Sequence, residues 1–246
     1  MLLASLALLI SACASRTAAQ PPPEQASQPS ARAQHPAPGQ HGAHAPHAQQ
    51  GHQHGGPASH RFEDAEQWAA RFEDPERDAW QKPEQVIAAM EIPHGGKVAD
   101  IGAATGYFPV RIARARPDAT VYGADIEPDM VRYLEARALK EGLGNLRAVL
   151  AEPADARLPQ PVDRVLLVDT YHHITERPAY FRKLAASLRP GGRVIVVDFK
   201  VDAPIGPPRE HKLAPDTVRE EMRAAGYAQV GEQELPHQYV LIFERA

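Results

Sequence analysis

The chain predicts an α/β fold: a three-layer α/β/α sandwich around a seven-stranded, mostly parallel sheet that finishes in a C-terminal antiparallel hairpin. Three observations lead there. Short apolar runs alternate with stretches of helical periodicity from Lys97 to the end of the chain. The first of these runs is short and continuously apolar, as in a strand covered on both faces. The last two runs stand next to each other with no helix between them, as in an antiparallel pair.

Residues 97–102, Lys-Val-Ala-Asp-Ile-Gly, form the first strand, and Gly102-Ala103-Ala104-Thr105-Gly106 follows as a turn without any bulky side chain. A helix over 107–116 carries Phe108, Val110, Ile112 and Ala113 at helical spacing, and Pro117-Asp118 stops it. The second strand, 120–124, is closed by Asp125. Glu127-Pro128-Asp129-Met130 opens the next helix, with an early proline and carboxylates in the first turn, and Val131, Leu134, Ala138 and Leu139 are its expected buried face. Residues 146–150 are the third strand and 163–169 the fourth. A helix starting near Glu176 is expected to run into Leu188-Arg189-Pro190-Gly191-Gly192-Arg193, with 194–199 as the fifth strand. A helix over 215–226 buries Val218, Met222 and Ala225, and the strands 227–230 and 238–243 complete the sheet.

The chemistry concentrates between Val98 and Asp125. In doubly wound sheets a ligand sits beyond the carboxyl ends of the strands, and an acid about 20 residues past the glycines accepts the ribose hydroxyl protons. Asp125 is placed for that task. A nicotinamide site needs G-x-G-x-x-G, whose helix N-terminus meets a pyrophosphate. Here Ala104 stands between Gly102 and Gly106, and Asp100, just ahead of the turn, repels an anion and favours a cation. A nucleotide-dependent oxidoreductase is therefore disfavoured.

Asp100, Gly102, Ala104 and Gly106 resemble the first motif, D-x-G-x-G-x-G, of the class I S-adenosylmethionine-dependent methyltransferases, with Ala104 replacing the usual middle glycine. The resemblance implies the class I methyltransferase fold and S-adenosylmethionine as cofactor. It implies a cofactor site made of Asp100, Gly102, Ala103, Ala104, Gly106, Tyr107, Asp125, Ile126, Asp155 and Asp169. Asp155, or Glu152 with a shifted alignment, would meet the exocyclic amine of adenine; a solvated loop carboxylate is the alternative for either. Asp169-Thr170-Tyr171-His172-His173 leaves the fourth strand where substrate meets cofactor in this fold, so His172, His173 and Asp169 are the catalytic candidates. An imidazole there suits removal of a proton from a hydroxyl or an amine; a structural role in closing the pocket is the alternative. Metalloid methyltransferases use several cysteines and this domain has none, which leaves a small-molecule acceptor.

Composition bounds the rest. Of 246 residues, the low-complexity start leaves fewer than 190 for a globular part, which suits one domain. With 27 Lys and Arg against 31 Asp and Glu, the net charge of −4 offers no basic field for a nucleic-acid backbone. Residues 1–13 read as a lipoprotein-like signal sequence whose apolar core is too short to span a membrane, and Ile10-Ser11-Ala12-Cys13 resembles a lipoprotein cleavage box. The expectation is export and a membrane anchor through lipid on Cys13, the single cysteine; no Lys or Arg precedes the apolar run, and a cytoplasmic location is the alternative.

Residues 14–59, rich in Pro, Gln, Ala, Gly and His, are expected to be a disordered tether reaching on the order of 40 Å. His35, His41, His44, His47, His52, His54 and His60 match no closed metal site, so no metal centre is assigned; weak collection of zinc, copper or nickel is the other reading. It underlies an alternative function, an inactive envelope lipoprotein with a methyltransferase-like fold. Residues 60–96, with Trp68, Phe72, Arg77 and Trp80, are expected to form a helical lid ahead of the cofactor-binding domain, 97–246, and to hold Phe72, Trp80 and Arg77 near the substrate; aromatics that simply pack the lid down are the alternative.

Overall fold

The structure is a computed structural model that describes residues 64–246. The leader with Cys13, the tether and its histidines lie outside the described residues. Seven strands are present among the described residues: β1 (Lys97–Ile101), β2 (Thr120–Asp125), β3 (Leu146–Leu150), β4 (Val162–Val168), β5 (Leu188–Phe199), β6 (Tyr227–Glu234) and β7 (Gln238–Arg245). They form one sheet in the order β3-β2-β1-β4-β5-β7-β6. The first five strands pair in parallel, and β7 runs antiparallel to both β5 and β6. The order reverses between β1 and β4, and a crevice opens at such a switch point beyond the carboxyl ends of the strands.

Helices cover both faces. α3 (Pro83–Ala89), α4 (Tyr107–Ala115) and α5 (Pro128–Lys140) pack Val86, Ile112 and Leu134 against Val98, Val121, Leu166 and Val197. On the other face α6 (Arg177–Leu184) and α7 (Pro215–Ala224) pack Phe181, Leu184, Val218 and Met222 against Ala99, Val165, Leu167, Val194 and Val196. Successive residues of β1, β4 and β5 thus serve opposite faces, as a pleated strand dictates. Two further helices, α1 (Ala65–Phe72) and α2 (Arg77–Gln81), precede α3; all three lie in the 60–96 segment expected to form a lid, and α3 packs Val86 into the core.

Two expectations need correction. Leu139 is 85% exposed, and the buried stripe of α5 is Met130, Leu134 and Ala138, spaced by four residues. One residue past Ala138 turns about 100° away from that stripe, which takes Leu139 off the sheet. The Pro190-Gly191-Gly192 segment does not end a helix. α6 stops at Leu184, and β5 already begins at Leu188. The pairing jumps from Val162↔Leu188 to Arg164↔Arg193, so Pro190, Gly191 and Gly192 form an irregularity within the strand pair.

Leu134 is 1% exposed and fills the space beside Gly106 and Gly123, where any added Cβ would collide with its methyl groups. Leu134→Ala should cost about 2–5 kcal/mol in urea unfolding. Leu139→Ala should change stability by less than about 0.5 kcal/mol.

Candidate active site

The sheet brings the first two acids together. β1 and β2 pair with Asp100 opposite Gly123 and Ile101 opposite Ala124, so Asp125 lies two residues beyond Asp100's partner, on the same face. Asp100 is 4% exposed. Burial pushes its carboxyl well above the usual range; the Arg77 guanidinium pulls it down and the Asp125 charge pushes it up. Burial likewise raises Asp125, against amide hydrogen bonds from the backbone of Glu127, Ala104 and Ile126.

The turn wraps around the end of β2. The amides of Gly102 and Ala103 both donate to the Ala124 carbonyl, at 2.8 and 3.1 Å. Asp125 Oδ2 accepts the Ala104 amide at 2.8 Å and Oδ1 the Glu127 amide at 3.0 Å. A carboxylate offers about four acceptor positions, so further hydroxyl donors can still be met. Gly102 and Gly106 have φ of 79° and 99°, and a side chain on them would strike Thr170 and Leu134. Their smallness therefore also serves packing. Ala104 adopts φ 45°, a left-handed conformation that strains an alanine, which is why the resembling motif has glycine there.

Asp169 follows β4 and is also left-handed, with φ 53°. It accepts a hydrogen bond from Gln238 Nε2 and lies 3.6 Å from Arg77 Nη2. Burial raises its pKa to about 7, opposed by Arg77 and reinforced by Asp198. Strained non-glycine residues cluster where sites are over-determined by their surroundings; Ala104 and Asp169 flank this crevice.

The histidine pair divides. His172 Nδ1 meets Asp198 at 2.9 and 3.0 Å, and Asp198, fully buried, also accepts the Phe199 amide at 2.8 Å. Burial works against the charge of His172, but the Asp198 hydrogen bond and the charges of Asp198 and Asp169 outweigh it and raise the imidazole pKa. His173 is exposed, its ring centroid 4.2 Å from that of His172.

The lid is tied to this crevice by charge. Arg137 forms an ion pair with Glu73 at 2.6 Å and donates a hydrogen bond to it at 3.0 Å, and Thr105 Oγ1 donates another at 3.0 Å. Asp78 accepts from the Tyr107 hydroxyl and from Arg111. Gln81 donates to Gln238, and both are fully buried. The Tyr107 ring is met by two guanidinium groups, Arg77 at 4.1 Å and Arg111 at 3.8 Å from its centre. Trp80 packs on Phe199 with ring centres 5.6 Å apart.

Ile126 and Leu150 are 51% and 50% exposed, and both stand at strand ends beside Asp125. Asp155, the expected adenine contact, is engaged by Lys183 at 2.9 Å and by the Arg157 amide at 2.8 Å. The Lys183 pairing holds its carboxyl below the usual range. Glu152, the alternative, pairs with Arg157 at 3.0 Å. Sequence reasoning missed Asp198, Gln81 and Gln238. Asp198 was the discoverable one, as a fourth acid near the carboxyl end of a strand.

The family model described as a methyltransferase domain matches residues 92–246. The chain belongs to the class I S-adenosylmethionine-dependent methyltransferases. Among curated proteins, the domain is similar to Methyltransferase GfsG of Streptomyces halstedii, 32% identical over 133 residues, 52% of this chain and 47% of that protein. It is also similar to 27-O-demethylrifamycin SV methyltransferase of Amycolatopsis mediterranei, 33% identical over 128 residues, 50% of this chain and 46% of that one. The chain thus spans about half the length of these relatives. A solved methyltransferase from Aquifex aeolicus shares the fold, with TM-score 0.67, 22% identity and coverage of 73% of this chain and 97% of its own.

The site chemistry of this methyltransferase fits its cofactor. Buried acids with raised pKa values favour a cationic ligand, and the small-residue turn carries no side chain that would hold the ligand off its backbone. Ala104→Gly should stabilise the domain by up to about 1 kcal/mol, because release of left-handed strain exceeds the added unfolded-chain entropy; thermal unfolding checks it. Asp169 yields a pH test. Its folded pKa of about 7 lies above the ordinary aspartate value of 3.8, so its contribution is favourable at low pH and is lost as pH rises through about 7. The stability of Asp169→Asn relative to wild type should therefore increase between pH 5 and pH 8, by on the order of 2 kcal/mol.

Proposed function

We propose that this domain transfers a methyl group from S-adenosylmethionine to a small-molecule hydroxyl or amine. The observation that carries the reading is the pair Asp100 and Asp125, on one face of adjacent strands and both raised by burial, at the rim of a methyltransferase sheet. Asp100 faces the methionine ammonium, and Asp125 takes the ribose hydroxyls while holding the turn by the Ala104 amide. The backbone of Gly102, Ala103, Ala104 and Gly106 lies against the cofactor, with Tyr107 closing that end. Ile126 and Leu150 form an apolar ledge for adenine; that ledge, rather than Asp155, carries the base in this assignment.

When bound, S-adenosylmethionine supplies an electrophilic methyl on a sulfonium. The protein's part is alignment and exclusion of water, the main sources of rate in an in-line displacement. Asp169 stands at the methionine end, where it orients the acceptor. His172 is held by Asp198 as a positioning group. His173, the exposed member of the pair, is the base for a hydroxyl or protonated amine. The relative named for 27-O-demethylrifamycin SV supports a small-molecule acceptor and O-methylation. The family match favours this reading over an inactive envelope protein. Lipid on Cys13 would place the activity at a membrane surface.

Calorimetry with S-adenosylmethionine should show binding to the full chain, weakened at least about 100-fold in Asp125→Ala, the loss of a charged group's hydrogen bonds. Absence of binding to the wild-type chain would defeat the reading. His173→Ala should lower kcat by about 10²–10⁴ with cofactor affinity unchanged, as loss of a general base does.

A further inference from the structure

The Arg77 guanidinium is bound chiefly to its own lid. Nε donates to Gln81 Oε1 and Nη1 to the Phe72 carbonyl, both at 3.0 Å, and its plane lies over Tyr107 and near Trp80. Outside the lid it meets the sheet at Asp169, 3.6 Å away, and its charge acts on Asp100 more strongly than that of any other group. Its side chain is only 16% exposed. Arg77 is therefore a cation carried by α2 against Asp169, close enough to Asp100 for its charge to act on that acid.

We propose that Arg77 is an internal competitor of the cofactor: a tethered counter-ion whose guanidinium must leave Asp100 and Asp169 when the ligand's ammonium reaches them. This rests on the cofactor site proposed above. Two cations cannot both occupy one desolvated acid pair without repulsion, and like charges in contact are costly where water is excluded. Displacement of Arg77 also breaks its bonds to Gln81 and Phe72, so it loosens α2. The latches at Glu73, Asp78 and Gln81 tie that motion to Thr105, Tyr107 and Gln238. Cofactor admission and lid movement become one event, and the lid cannot rest fully closed on its own charges while the cofactor is in place.

The full chain and its Arg77→Gln and Arg77→Lys variants are compared by calorimetry and stopped-flow fluorescence with S-adenosylmethionine at pH 8. Internal competition predicts that Arg77→Gln binds about tenfold tighter, chiefly through faster association, with Arg77→Lys close to wild type. Weaker binding by Arg77→Gln would overturn the proposal and make Arg77 a direct contact of the cofactor. Affinity and association rate both within twofold of wild type would overturn it equally. Thermal unfolding of each variant confirms that folded proteins are compared. If wild type shows no binding, the cofactor site itself fails, which is distinct from a site indifferent to Arg77.

Discussion

Ionisable oxygen held out of water at the carboxyl ends of a parallel sheet is the constraint on which the rest of this structure depends. Asp100 is nearly inaccessible, Asp125 is drawn in by the turn that it pins, and Asp169 sits in a left-handed conformation beside them. Burial raises the pKa of all three. Such an arrangement opposes stability, since desolvating a carboxylate is unfavourable unless a cation or several donors answer it. The fold tolerates it because each acid has partial compensation: amides at Asp125, Gln238 and Arg77 at Asp169, and the Arg77 charge at Asp100. The compensation is incomplete where a cationic ligand would complete it, as preorganised sites commonly are.

The lid follows from the same electrostatics. Its helices are short, and α2 has five residues, too few to be stable from helical propensity. What holds it is a set of contacts to the sheet and to the first motif: Glu73 with Arg137 and Thr105, Asp78 with Tyr107 and Arg111, Gln81 with Gln238, and Trp80 on Phe199. Nearly all are polar and several are partly solvated, so opening α1 and α2 sacrifices little of the hydrophobic core. The same contacts end on the residues that shape the cofactor turn. Lid position and turn geometry are therefore coupled through side chains rather than through the backbone alone.

Much of this was legible in the sequence because it rests on local pattern. Asp100 and Asp125 were readable because strand ends, glycine turns and acid spacing are features of contiguous sequence, and most of the strands declared themselves by apolar runs. Arg77 was named as a lid residue near the substrate, and it lies 3.6 Å from Asp169. Leu139 was misread because apolar composition on a helix does not fix phase to within one residue, and the stripe at Met130, Leu134 and Ala138 left it outside. Pro190-Gly191-Gly192 signals a break without saying what is broken; here it interrupts a strand pair. Gln81 and Gln238 are 157 residues apart, and nothing in either local segment announces that they meet. Neither could the sequence tell that His172 would be committed to Asp198, because the partnership spans two strand ends brought together only by the fold.

The most direct test of the central claim is an NMR titration of the Asp100 side-chain carboxyl carbon, assigned through Asp100→Asn, with and without saturating S-adenosylmethionine. A carboxyl waiting in a dry crevice for a cation should titrate above the usual aspartate range in the free protein and move down when the cofactor's ammonium arrives. An ordinary aspartate titration in the free protein, or one that the ligand leaves unmoved, would contradict the account.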